Sequence, residues 1–392
     1  MVTSCEIKFD NNPNGTYLSG QMITGKVILN LSEKKKVRSV YLKIEGYAKC
    51  SWTVTKGRGN GRRSITYKGR EDYLNQVTYL LGTESGPNLD LAAGITTYSF
   101  ACMLPESLPS SFEGKYGHIR YSCKAVLDRP LKTDKEFRLP FSVIKSEDLN
   151  AIPSLTIPTK SEIIRHFYCC CFKSKPFYMS AAIPFSGYVP GQKVDLIIFM
   201  NNQSNVDVEG TKVTLERSTQ YISQNPRKKI RSELLAVKEV YGTGMIKSGS
   251  GEVRISLEIP PLSPTNINYS RIITTCYQLR VVAKVSGAHK NPYLNIPIKI
   301  GTNPLLASLP IPQYNTLFDA SFSSQPSAPS ISHPMDLPPP SYEEATQIVP
   351  EMSVDDANIS IFNPRYPVWN FSSQMPTAPI YPAISPIKVP LN

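Results

Sequence analysis

Pro339, Pro340 and Tyr342 lie in the stretch Leu337-Pro338-Pro339-Pro340-Ser341-Tyr342-Glu343-Glu344-Ala345 and spell P-P-x-Y. Consecutive prolines fix φ and hold the chain as a polyproline II rod before a partner arrives, so docking into an aromatic groove costs little ordering entropy. The chemistry is recognition: prolines stack on aromatic rings and the tyrosine fills a neighbouring slot, which is how WW domains read their ligands.

Two strings in the same region, Pro326-Ser327-Ala328-Pro329 and Pro376-Thr377-Ala378-Pro379, both read P-[ST]-A-P. Each resembles the ligand of the ubiquitin-binding UEV subunit of the ESCRT-I sorting complex, and two copies exceed what a low-complexity tail supplies by chance. Both kinds of motif serve ubiquitin-dependent membrane traffic.

Cys169, Cys170 and Cys171 are contiguous, preceded by His166, Phe167 and Tyr168 and followed by Phe172, Lys173 and Lys175. Adjacent cysteines do not converge easily on one tetrahedral ion, whereas exposed thiols beside aromatics and lysines suit S-acylation at a membrane surface. The plainer alternative is a loop packed between domains. Lys34, Lys35 and Lys36, then Arg62 and Arg63 in the basic stretch 58–70, then Arg227, Lys228 and Lys229, are candidate contacts for acidic cargo tails or an anionic membrane surface. Their plainer alternative is solvated loops. No nucleic-acid-binding fold frames them, so nucleic acid is not an expected partner.

His118, His166, His289 and His333 are the four histidines, and none stands in a nucleophile or metal motif. Gly242-Thr243-Gly244 and Gly249-Ser250-Gly251 have no G-K-[ST] and no following helix, and read as turns. No catalytic residue, metal or cofactor is expected, and no enzyme.

The elements that must carry these motifs are β-strands. The chain of 392 residues is 41% hydrophobic with 34 prolines and 22 glycines, enough for sizeable cores but without a long helical period. Val40, Leu42 and Ile44 alternate with polar neighbours, as do Ile119, Tyr121, Cys123, Ala125 and Leu127, and later Val194, Leu196 and Ile198, then Val253, Ile255, Leu257 and Ile259. A period of two with one wet face means antiparallel sheets packed as sandwiches. The stretch 53–70 reads as an exposed loop or a long hairpin. Cys5, Cys102, Cys123 and Cys276 fall in strand-like segments and read as reduced core residues. A net charge of +12 favours acidic partners. No apolar run reaches the length of a membrane span and the start MVTSCEIKFD lacks a signal core, so a cytoplasmic protein is expected.

The two halves resemble each other. Tyr17-Leu18-Ser19-Gly20-Gln21 and Tyr188-Val189-Pro190-Gly191-Gln192 each precede an apolar strand; 105–109 leads into the strand at Ile119 as 260–264 leads into that at Leu279. The fold class is therefore all-β: two tandem antiparallel β-sandwiches at 1–148 and 176–302, a linker at 149–175, and a disordered proline-rich tail at 303–392, where no apolar periodicity offsets the entropy of ordering.

These features together, with the run Ser111-Phe112-Glu113-Gly114 before Gly117-His118-Ile119-Arg120-Tyr121, the stretch Pro140-Phe141-Ser142-Val143-Ile144 and the ending Leu294-Asn295-Ile296-Pro297-Ile298, resemble the arrestin-domain-containing proteins, or α-arrestins. The resemblance implies an adaptor whose sandwiches engage a membrane receptor or transporter while the tail recruits a HECT-type ubiquitin ligase through its WW domains, at plasma membrane and endosomes. Members often carry two P-P-x-Y motifs; here Asn363-Pro364-Arg365-Tyr366 is at best a degenerate second. A retromer-like coat subunit would need no such tail. A thioredoxin-binding regulator would use a cysteine in the loop 242–251, which holds none.

Overall fold

The computed structural model describes residues 2–10, 12, 14–57, 62–131, 133–169, 172–242, 246–309, 362–371 and 377–380. Among them there is no α-helix, only short 3-10 turns such as Leu149–Ala151 and Leu306–Ser308. None is long and apolar enough to cross a membrane.

The first half runs β1 (Val2–Phe9), β2 (Thr16–Leu18), β3 (Met22–Leu31), β4 (Lys35–Val37), β5 (Ser39–Lys56), β6 (Arg63–Gly82), β7 (Leu89–Leu91), β8 (Gly94–Met103), β9 (Phe112–Gly114), β10 (Gly117–Asp128) and β11 (Lys135–Ile144). The second runs β12 (Thr159–Arg165), β13 (Tyr168–Cys169), β14 (Phe172–Lys173), β15 (Phe177–Ile183), β16 (Gly187–Tyr188), β17 (Lys193–Asn202), β18 (Val208–Ser223), β19 (Lys229–Gly242), β20 (Gly249–Glu258), β21 (Ile273–Val285) and β22 (Tyr293–Ile300). In the first sandwich a sheet β1-β3-β8 faces β2-β11-β10-β5-β6; in the second, β12-β15-β17-β20 faces β16-β22-β21-β18-β19. The alternating residues read from the sequence point inward, and Val40, Ile119, Val194 and Leu257 are all buried. Sheet-on-sheet burial of this kind supplies most of the driving force for folding.

The internal repeat is visible residue by residue. Short β2 lies parallel to the end of β11, Tyr17 beside Val143, as short β16 lies parallel to the end of β22, Tyr188 beside Ile300. Continuing the register aligns Tyr121 with Tyr277. Both hydroxyls donate to a carbonyl in the preceding proline-rich loop, Tyr121 to Pro109 at 2.7 Å and Tyr277 to Ser263 at 2.8 Å.

Three sequence expectations need correction. The stretch 149–175 is not all linker, because β12 pairs with β15 over its whole length and opens the second sandwich; its sequence TKSEIIR has too little apolar alternation to announce it. Cys276 is exposed, since it points outward between the inward-facing Thr275 and Tyr277, whereas Cys102 and Cys123 are buried and Cys5 is half-buried. Burial pushes the Cys5 thiol up to about 12, with Glu6 adding to the shift. Finally, 303–309 and 362–371 lie against the sandwiches instead of forming part of a free arm.

Candidate functional site

The two sandwiches meet along a seam built from a long hairpin of each. Within the stretch 53–70, residues 53–56 and 63–70 are the outer part of the β5–β6 hairpin, which meets the tip of the β18–β19 hairpin through Lys68 N–H to Asn225 C=O and Gln224 N–H to Lys68 C=O, both 2.8 Å. The run Ser111-Phe112-Glu113-Gly114 lies in the same seam. Arg217 stacks its guanidinium 4.8 Å from the centre of the Phe112 ring, and Tyr221, though part of the second sandwich, is buried in the first core. A Cβ at Gly114 would lie 2.0 Å from the Tyr221 hydroxyl, so only glycine admits the second sandwich this closely. The Tyr221 hydroxyl donates to Glu233 at 2.6 Å, and Glu71 accepts from Ser270 and from the Arg271 backbone at 3.1 and 2.9 Å. Burial raises the Glu113 carboxyl pKa against the pull of its ion-pair partner Arg120. The seam is thus apolar at Phe112 and Tyr221 and laced with charged and hydrogen-bonded groups around them.

The basic residues divide into two groups. Lys34 pairs with Asp90 at 2.9 Å, Lys35 pairs with Glu33, and Lys35 and Lys36 sit in β4, away from the seam. Arg227, Lys228 and Lys229 stand at the tip of the β18–β19 hairpin, with Lys229 Nζ 4.7 Å from the centre of the Tyr67 ring. The Tyr67 hydroxyl is held below its ordinary pKa by the neighbouring Arg227, with Lys229 and Lys56 adding to the field. Arg62 and Arg63 are exposed further out on the β5–β6 hairpin. The fold therefore brings Lys56 into the field of Arg227 and Lys229, from sequence positions far apart, and leaves Lys34, Lys35 and Lys36 separate.

Pro339, Pro340, Tyr342, Pro326, Ser327, Ala328, Pro329 and Pro376 lie outside the described residues, as do Cys170 and Cys171. Cys169 ends β13, paired with Phe172. Thr377, Ala378 and Pro379 belong to β24 (Thr377–Ile380), which pairs with β23 (Val368–Asn370).

The degenerate motif Asn363-Pro364-Arg365-Tyr366 has a place that sequence reasoning missed. Pro364 and Pro367 are buried, and the Tyr366 hydroxyl donates to the Ser111 carbonyl at 3.0 Å. Burial pushes the Tyr366 hydroxyl pKa well up, with Tyr277 close by adding to the shift. Trp369 and Phe371 pack on a small cluster of Leu149, Val189 and Leu305. The available signal was density of aromatics: Phe362, Tyr366, Trp369 and Phe371 fall within ten residues of a polar tail, and Trp369 is one of two tryptophans in the chain.

Residues 5–150 match the family model for the N-terminal domain of arrestin (or S-antigen), and 173–305 match that for its C-terminal domain. Arrestin domain-containing protein 17 of Caenorhabditis elegans is 30% identical over 82% of this chain and 75% of its own length. Arrestin domain-containing protein 4 of Mus musculus is 30% identical over 77% and 72%. The thioredoxin-interacting protein of Homo sapiens is 27% identical over 78% and 76%.

Proposed function

The chain belongs to the arrestin-domain-containing proteins, the α-arrestins, and from that premise we propose that it is a non-catalytic adaptor that couples membrane cargo to HECT-type ubiquitin ligases. The observation that carries this reading is the presence on one chain of two arrestin sandwiches and the string Pro339-Pro340-Ser341-Tyr342. The tyrosine and prolines engage a WW domain as a pre-extended ligand. The sandwiches hold the cytoplasmic part of a receptor or transporter, and the basic hairpin tips with Arg62, Arg63, Arg227, Lys228 and Lys229 favour acidic segments or anionic lipid. Ubiquitin is attached to cargo or to the adaptor, and Pro326–Pro329 and Pro376–Pro379 pass the assembly to the UEV subunit of ESCRT-I. The protein works from the cytoplasm at plasma membrane and endosomes, where acylation of Cys169, Cys170 and Cys171 would add a membrane anchor.

A thioredoxin-binding role is not adopted from the thioredoxin-interacting relative, because 242–251 holds no cysteine. Pulldown with the isolated WW domains of a HECT ligase tests the main reading. Wild type is retained and Tyr342→Ala is lost; equal retention of the two would overturn it.

A further inference from the structure

The stretch 362–371 crosses the seam as an extended chain and makes specific bonds to both sandwiches. On the first, the Arg365 backbone N–H donates to Ser142 Oγ at 3.2 Å and the Tyr366 hydroxyl to the Ser111 carbonyl at 3.0 Å. On the second, the Trp369 backbone N–H donates to the Pro190 carbonyl at 3.0 Å and its indole Nε1–H to the Thr302 carbonyl at 2.8 Å. Three of the four acceptors are backbone carbonyls, which need a partner or water wherever they are covered.

The receiving surface is shaped for such a chain. Gly191 has φ +88°, and a Cβ there would lie 2.1 Å from the Trp369 carbonyl oxygen and 2.8 Å from Val368 Cγ1. The indole and Phe371 cover Leu149, Val189 and Leu305, which belong to neither main core. Buried Pro364 and Pro367 bracket Arg365 and Tyr366 and preset φ on both sides, so the segment enters already extended.

We propose that the seam carries a peptide-binding groove and that 364–371 is its ligand in cis, a proline-bracketed tyrosine followed by an anchoring tryptophan. The groove reads the tyrosine hydroxyl through Ser111, the backbone through Ser142 and Pro190, and the indole through Thr302. Between the last described residue of the body, at 309, and the stretch that begins at 362 lie 52 sequence positions (361 − 309), and Pro326–Pro329 and Pro339–Tyr342 fall in that interval of the sequence. A covalent connection makes the docking intramolecular, at an effective concentration on the order of millimolar, and this excludes a weaker peptide of the same chemistry. The inference does not depend on which ligase or cargo the protein serves.

The test is binding of a fluorescent peptide with the sequence of 362–371 to the full chain. Wild type, its groove filled, is expected to bind at least about tenfold more weakly than the double variant Tyr366→Ala/Trp369→Ala, whose groove is vacated. A peptide carrying alanine for its tyrosine and tryptophan should bind neither. Tyr366→Phe, which keeps the ring and loses one hydrogen bond, provides a second variant that falls between the two. Hydrogen exchange on the same samples should rise at 188–192 in the double variant and fall again when peptide is added. Equal peptide affinity for wild type and double variant, no binding to either, or unchanged exchange at 188–192 would each overturn the proposal, and a wild-type chain that dimerises by exchanging this segment would overturn its assignment in cis.

Discussion

The turns at 17–21 and 188–192 share their chemistry and differ in their surroundings. In the first, Gln21 N–H bonds the Leu18 carbonyl at 3.1 Å and the Gln21 side chain accepts from the Leu18 N–H at 2.9 Å; in the second, Gln192 and Val189 repeat both bonds at 3.1 and 3.2 Å. Gly20 and Gly191 have φ of +85° and +88°. Yet a Cβ on Gly20 would meet only the flexible Glu106 side chain, at 2.9 Å, whereas one on Gly191 would strike the backbone of a segment 178 positions further on (369 − 191). Local sequence specifies the turn, and a distant part of the chain decides what the turn is used for.

The largest effects should come from the tyrosines that open these turns. Tyr17 and Tyr188 are 3% and 0% exposed, the first against Phe9 and Phe141, the second against Phe185. Replacing either with alanine is expected to cost about 3 to 5 kcal/mol by urea unfolding, and similar losses would support a true structural repeat. The glycines separate the turns. Gly20→Ala should cost about 1 to 2 kcal/mol for the left-handed backbone alone. Gly191→Ala should cost more, because the segment 362–371 must also move. In the Tyr366→Ala/Trp369→Ala background that excess is expected to vanish, a coupling that a double-mutant cycle measures directly.

The smallest effect is a dependence on pH confined to the first half. Burial lowers the His118 pKa to about 4, helped by Arg120 and Lys49, while the equivalent residue of the second half is Thr274. An unfolded histidine titrates near about 6.5. Between those values the unfolded chain binds more protons than the folded one, so the contribution to stability is complete above about pH 6.5 and declines as pH falls toward about 4. Hydrogen exchange should show β10 losing protection between about pH 7 and pH 5 more than β21, and His118→Gln should flatten the difference.

Much of this was legible in the residues themselves. Alternation at Val194, Leu196 and Ile198 defines a strand because successive side chains point to opposite faces, and Gly20 and Gly191 mark turns because only glycine accepts that φ without penalty. The string Pro339-Pro340-Ser341-Tyr342 is readable for a similar reason, since proline fixes φ without help from the fold. Strand β12 was not legible, because it owes its structure to pairing with β15 more than to its own pattern. Nor did any local feature announce that Tyr221 would enter the first core, that Lys56 would share a field with Arg227 and Lys229, or that Tyr366 would close the seam instead of joining a second P-P-x-Y motif. Periodicity and backbone restriction act over a few residues and survive in a one-dimensional string. Which distant surfaces are complementary depends on shape, charge and unpaired carbonyls that exist only after both sandwiches have formed, and that is what the tertiary structure alone decided.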